Sequence, residues 1–422
     1  MKKPKILIIQ PFIPYPLNTG GNQAMYNGIK AIYSNTDVYL TFETKNTQED
    51  QENIYRLQEK LGGTVKIIPY IKEEIKENKS ILKEIHIFLW KIKLFILSFL
   101  GYSQNFKQEY KVWQGKYNAK DDSRVDFINR IIDKHKINIV QCEMLQTAPY
   151  ALTLPPKVKK IFVHHEIGFI REELNVISKT KNPEIYSEDL EIYKKNEVEI
   201  LNKFDCIITL SAIDTKKLKS AGVIVPIETS LAIVKFEPQK KIISEDYKTL
   251  TFVGPSCHNP NVVGIKWFLE NCWHKLKSID SEYKLQIIGN WEKVFVQEIK
   301  RNYSNIIFKG FVEDLSSTIQ NTIMIVPITV GSGIRMKILE ACVNGVPVIS
   351  TSVGAEGLPL IDGEDCLIAN TPENFINSIL KMKDKNLRMQ FIHNSMKKII
   401  ELYSFDTLKR NRNSILDNVI RK

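Results

Sequence analysis

Cysteine is scarce and scattered in this chain: six among 422 residues (Cys142, Cys206, Cys257, Cys272, Cys342 and Cys366), with no C-x-x-C pair. Such spacing excludes a disulfide framework and a zinc-finger type of site, and the apolar runs around several of them point to buried, reduced thiols. Long apolar runs are also missing. None reaches the roughly 20 residues that a membrane-spanning helix needs. The run behind Lys2 and Lys3, residues 6–9, is too short for a secretory signal, so a cytoplasmic location is expected. There is no arginine-rich tract and no interleaving of basic with aromatic residues. The net charge of +11 therefore does not read as nucleic-acid binding, and nucleotide phosphates or a membrane surface are the better acidic partners. Low-complexity tracts and short-period repeats are absent as well.

What is present is an ordinary globular composition, 43% hydrophobic and 25% charged, over a length too great for one core. Short apolar runs of strand length fall at 5–10, 37–42, 64–68, 137–141, 160–164 and 206–210, with one more at 224–227. Helical patterns intervene at 22–33 and 187–203, and Ser211 is placed to cap another. Periodicity fades between 232 and 247 and then restarts. Strands are predicted at 249–253, 284–288, 306–308, 322–326, 346–350 and 366–369, with helices at 262–276, 292–301 and 334–342. Strands alternating with helices imply parallel sheets. The expectation is α/β, with two Rossmann-like doubly wound domains facing across a cleft. Residues 1–235 form one, 236–247 a linker and 248–400 the other, and a C-terminal helix occupies 401–422.

One excursion breaks this pattern. Residues 81–102 carry Phe88, Trp90, Phe95 and Phe99 around Lys91 and Lys93, and further lysines follow. Such a stretch suits either peripheral contact with an anionic membrane or a core helix whose lysines reach outward.

The most informative stretch is 322–351, TIMIVPITVGSGIRMKILEACVNGVPVIST. An apolar strand ends at Pro327, a turn is bracketed by Gly331 and Gly333, Ile334, Ile338, Leu339 and Cys342 follow at helical spacing, and a second strand comes after. In such sheets ligands bind outside the carboxyl ends of the strands, and backbone N–H groups at a helix start attract phosphate. Arg335 and Lys337, in the first helical turn, oppose the helix dipole, so an anion is expected to compensate them. Glu340, an acceptor-only carboxylate, is suited to a ribose diol.

The phrase resembles the nucleotide-sugar site of the group 1 glycosyltransferases (family 4, GT-B fold). Glu340-Ala341 and Gly345-Val346-Pro347-Val348 match the second half of the family motif. Ser332 stands eight positions before Glu340, where the family usually has a glutamate beside the transferred sugar, so this is a variant of the site. The resemblance implies a retaining transfer of a hexose-type sugar from a nucleotide diphosphate donor to a hydroxyl of a glycan or lipid-linked acceptor, in cell-surface polysaccharide or glycoconjugate synthesis. It also implies a last helix that crosses back to the first domain, and peripheral attachment to the inner face of the membrane would suit a lipid-linked acceptor.

By the same resemblance, His165, Ser332, Arg335, Lys337 and Glu340 are the candidate catalytic residues. Gly20, Gly21, Gly254, Asn259, Gly331, Gly333 and Ile334 are the candidates for donor binding. His164 and His165 end a strand together, and successive strand residues face opposite ways, so only one belongs to the site. His165 followed by Glu166 matches the family's His-Asp pair best. The loop 254–261 lacks the Arg and Lys that many relatives place there, which shifts charge neutralisation onto Arg335 and Lys337. With no Asp-x-Asp motif, neither a metal nor any cofactor is expected. Two other readings remain open, a GT-B nucleotide-sugar epimerase or hydrolase and a non-catalytic sugar-nucleotide binding protein.

Overall fold

A computed structural model describes residues 3–17, 19–72, 121–179, 183–231, 233, 248–331 and 333–421. The amphipathic segment 81–102, the linker 236–247 and Ser332 lie outside these residues. Two parallel sheets organise the rest. The first contains β1 (Lys5–Gln10), β2 (Asp37–Thr44), β3 (Lys66–Ile67), β4 (Tyr70–Ile71), β5 (Ile139–Glu143), β6 (Lys159–His164), β7 (Cys206–Thr209) and β8 (Ile227–Thr229). Its order is β3-β2-β1-β5-β6-β7-β8, with β4 also pairing β2. The second contains β9 (Thr249–Val253), β10 (Lys284–Ile288), β11 (Ile306–Gly310), β12 (Ile323–Val326), β13 (Val348–Ser350) and β14 (Leu367–Ile368), ordered β11-β10-β9-β12-β13-β14.

Strand order reverses between β1 and β5 in the first sheet and between β9 and β12 in the second. Those are the switch points where an open parallel sheet leaves a crevice at its carboxyl edge. Continuous apolar strands are needed because helices cover both faces. In β1, Ile6 and Ile8 enter one core cluster while Leu7 and Ile9 enter the other. A third cluster, with Phe268, Trp273 and Phe375 among its buried aromatics, fills the second domain.

Helix boundaries differ from the sequence expectation where side chains or turns decide them. The helix Gly20–Ile32 begins two residues early because Thr19 Oγ1 accepts the Asn22 N–H at 3.2 Å. The helix expected over 262–276 begins at Asn259, with Pro260 in its first turn, and passes through a π-helical turn at Leu269–Trp273. The helix after the glycine turn starts at Met336. Arg335 is its N-cap, with φ −86° and ψ 89°, so only Lys337 of the basic pair lies in the first turn. The C-terminal region is two helices, Lys385–Leu402 and Phe405–Arg421. Between them Ser404 Oγ accepts the Thr407 N–H at 3.2 Å, which starts the second helix and moves its onset from 401 to Phe405.

That last helix packs against Gly20–Ile32, and its Leu408, Ile415, Leu416 and Val419 join the first domain's core beside Ile6, Ile8 and Ile29. Among the described residues no helix is long and apolar enough to cross a membrane.

Candidate active site

A cavity of about 600 Å³ opens where the carboxyl edges of the two sheets face each other. Its size is that of a small-ligand site. The loops that follow β1, β5, β6, β9 and β12 all contribute to its walls.

On the second-domain side, Gly254 follows β9 and lets Lys337 approach. A Cβ there would lie 2.8 Å from Lys337 Nζ and 2.6 Å from Asn261 Nδ2. Lys337 Nζ donates to Asn261 Oδ1 at 2.8 Å and sits 4.0 Å from the centre of the Phe252 ring. Asn261 in turn donates to the Pro255 carbonyl at 2.8 Å, so one amide ties the lysine to the loop after β9. Burial, reinforced by Arg335, holds the Lys337 amine well below its usual pKa, and Glu340 opposes this. Burial likewise lowers Arg335, against the carboxylates of Glu166, Glu356 and Asp214. Arg335 Nη1 donates to the Gly333 carbonyl at 2.9 Å, which braces the glycine turn. Burial pushes the Glu340 carboxyl up to about 7, with the Gln23 amide and Lys337 acting the other way. Two cations and a carboxyl are thus held in a place poor in water, where an anionic ligand would relieve the cations.

On the first-domain side, Gly20 lies against the opposite domain. A Cβ there would sit 2.8 Å from Met336 Cγ, so a larger residue would wedge the cleft. His165 lines the cavity, and its Nε2 lies 3.1 Å from Glu143 Oε2. Glu143 Oε1 accepts from Gln141 Nε2 at 2.7 Å. His164 points away. It is buried, with Nε2 3.0 Å from Glu197 Oε1, and Glu197 also accepts the N–H groups of Gly168 and Phe169 at 3.0 and 2.8 Å. That arrangement anchors the start of the helix Gly168–Lys179 and leaves His164 no access to a ligand. Glu166 lines the cavity and pairs with Arg171 at 3.0 Å.

The described candidates therefore share one cavity. Gly20, Gly21 and His165 face it from the first domain. Gly254, Asn259, Gly331, Gly333 and Ile334 face it from the second, with Arg335, Lys337 and Glu340. Sequence reading missed Asn261, Gln23, Glu143 and Arg412. Arg412 comes from the C-terminal helix and is buried; burial lowers its pKa to about 10, against the Glu143 carboxylate. The alternation of Gln141 and Glu143 in the otherwise apolar β5 was the one available signal, two polar side chains on the same strand face. Among the described residues no group of three or more His, Cys, Asp or Glu could hold a metal ion.

Comparison with known proteins agrees with this geometry. Residues 247–385 match the family described as "Glycosyl transferases group 1". A Klebsiella pneumoniae protein described as "Uncharacterized 44.6 kDa protein in cps region" is 24% identical over 387 residues, covering 89% of this chain and 90% of its own length. Staphylococcus aureus TarM, solved with Fondaparinux, alpha-GlcNAc-glycerol and UDP, superposes with a TM-score of 0.67 at 15% identity, covering 98% of this chain and 99% of its own. The pneumococcal O-GlcNAc transferase GtfA, solved with UDP and GlcNAc, gives 0.65 at 13% identity over 100% of both chains. The fold is GT-B, the second domain is a group 1 glycosyl transferase domain, and the enzyme class is glycosyltransferase.

Proposed function

We propose that this glycosyltransferase is retaining and moves a hexose-type sugar from a nucleoside diphosphate, UDP before others, to a hydroxyl of a glycan or lipid-linked acceptor. The observation that carries the reading is the convergence of Arg335, Lys337 and the turn at Gly331 and Gly333 on one side of a cavity, with His165 on the other. As the bond between the anomeric carbon and the diphosphate breaks, charge gathers on the leaving oxygens. Donors already fixed in a water-poor site stabilise that charge without reorganising, an effect of about 2.7–4 kcal/mol per donor. Glu340 would accept from the ribose hydroxyls, and the Gly20-Gly21 end of the first helix would close over the diphosphate. Neutralisation by Arg335 and Lys337 makes a divalent metal unnecessary in this scheme.

Support for UDP comes from TarM and GtfA, both solved with it, and support for a role in polysaccharide synthesis comes from the relative in a cps region. Peripheral attachment through residues 81–102 belongs to the proposal on composition alone.

The experiment is a screen of UDP-, GDP- and dTDP-sugars against the purified protein with glycan and polyprenyl-linked acceptors, followed by NMR of the product's anomeric centre. A product of the donor's own anomeric configuration is expected. Inversion would remove the retaining assignment. Free sugar or an epimerised donor, formed without acceptor, would replace transfer by one of the other GT-B chemistries.

A further inference from the structure

His165 does not stand alone. Glu143 closes β5 and is 2% exposed, and its two oxygens are both engaged, Oε1 by Gln141 Nε2–H at 2.7 Å and Oε2 by His165 Nε2 at 3.1 Å. A carboxylate offers only lone pairs, so the ring nitrogen that meets it must carry the hydrogen. With Nε2 committed inward, Nδ1 is the nitrogen left for a ligand in the cavity. In a neutral ring that nitrogen is an acceptor. Glu143 is buried on the sheet face covered by the C-terminal helix, and Arg412 of that helix is the buried cation on which its charge acts. The neighbouring pair, His164 with Glu197, uses the same residue types differently: its carboxylate is saturated by two backbone N–H groups and lies outside the cavity.

We propose that Glu143 is a positioning residue that locks His165 as the Nε2–H tautomer, so that Nδ1 accepts a hydrogen bond from a hydroxyl of the transferred sugar. An acceptor nitrogen has nothing to give a phosphate oxygen, which is also acceptor-only. The lock thereby orients the donor, with the sugar towards His165 and the diphosphate towards Arg335 and Lys337. This rests on the reading of the cavity as a sugar-transfer site, and its test separates the two.

The tautomer is read in the ligand-free protein from long-range ¹H–¹⁵N correlations of ¹⁵N-histidine, with His165 identified by its absence in His165→Asn. An Nε2–H tautomer is expected in the wild type and in Glu143→Gln, whose amide oxygen still accepts. Glu143→Leu should show a mixture. On whichever nucleotide sugar turns over, Glu143→Gln should keep kcat within about threefold. Glu143→Leu should lose about tenfold to a hundredfold in kcat with nucleoside diphosphate affinity by calorimetry near wild type, and its thermal midpoint should fall because Gln141 and the buried Arg412 lose their carboxylate. An Nδ1–H or doubly protonated ring in the wild type overturns the proposal, as does wild-type kcat in Glu143→Leu. If no UDP-, GDP- or dTDP-sugar turns over, the sugar-transfer reading fails, while the wild-type and Glu143→Gln spectra still decide the tautomer.

Discussion

Glu340 and Lys337 are held away from the charge each would carry in water, the carboxyl raised to about 7 and the amine well below its usual value, both chiefly by burial. A folded-state carboxyl above its unfolded value of 4.5 favours folding most fully below that pH, and the advantage is lost as pH rises through about 7. Glu340→Gln removes the titration. The variant should therefore gain on the wild type as pH is raised from acid to above neutrality, by at most about 3 kcal/mol, read as a widening gap in Tm. It should at the same time bind UDP more weakly, since an amide is a poorer acceptor for ribose hydroxyls. A gap in Tm that stays constant with pH would mean that Glu340 titrates as an ordinary surface carboxyl. Stability given up for a ligand is the common trade at a binding site.

Two elements connect packing to the cleft. The C-terminal helix buries Leu416 in the first domain's core, and Leu416→Ala should cost about 2–5 kcal/mol. Chemical denaturation would show whether that loss appears in the transition of the first domain; a loss below about 0.5 kcal/mol would mean that the helix rests on the domain without completing its core. The first helix carries the second prediction. Gly20→Val places atoms where Met336 Cγ lies, so it should hold the cleft open. Turnover should fall more than tenfold and UDP affinity by less, since in the proposed scheme Arg335 and Lys337 hold the diphosphate and the first helix only closes over it. Equal losses in both would place Gly20 in nucleotide binding itself.

These elements also show what could be read in advance. The strand, glycine turn and helix over 322–351 were legible because every signal there is local: an apolar run, Pro327, two glycines and a helical apolar stripe. The onset of that helix at Met336 was not, since Arg335 takes an N-cap conformation that nothing in its own side chain demands. The break at Tyr403 and Ser404 lacks glycine or proline and rests on a hydroxyl cap. Asn261, Gln23 and Arg412 were invisible, and Glu143 showed only as a polar residue in an apolar strand, for a further reason. Each acquires its role from a partner distant in sequence, which only the folded chain brings near.

At the scale of the whole molecule, the two domains meet through a few contacts around the cavity. Lys217 of the first domain and Glu356 of the second pair at 2.6 Å, and Ile334 packs against the first domain's core. A partly exposed ion pair of this kind contributes little to stability, so Lys217→Ala should leave Tm within about 1 °C and change turnover less than Gly20→Val does. A large loss of kcat instead would make this pair a latch for domain closure. The cavity between the domains is proposed to hold a nucleoside diphosphate without a metal. The most direct measurement is calorimetry of UDP binding in excess EDTA, on the wild type, Arg335→Ala and Lys337→Ala. We expect binding by the wild type without metal and a loss of at least about tenfold in each variant, in line with a charge-assisted contact removed from a buried site. Binding that appears only when Mg²⁺ or Mn²⁺ is added, or that is equal in all three proteins, would contradict the account.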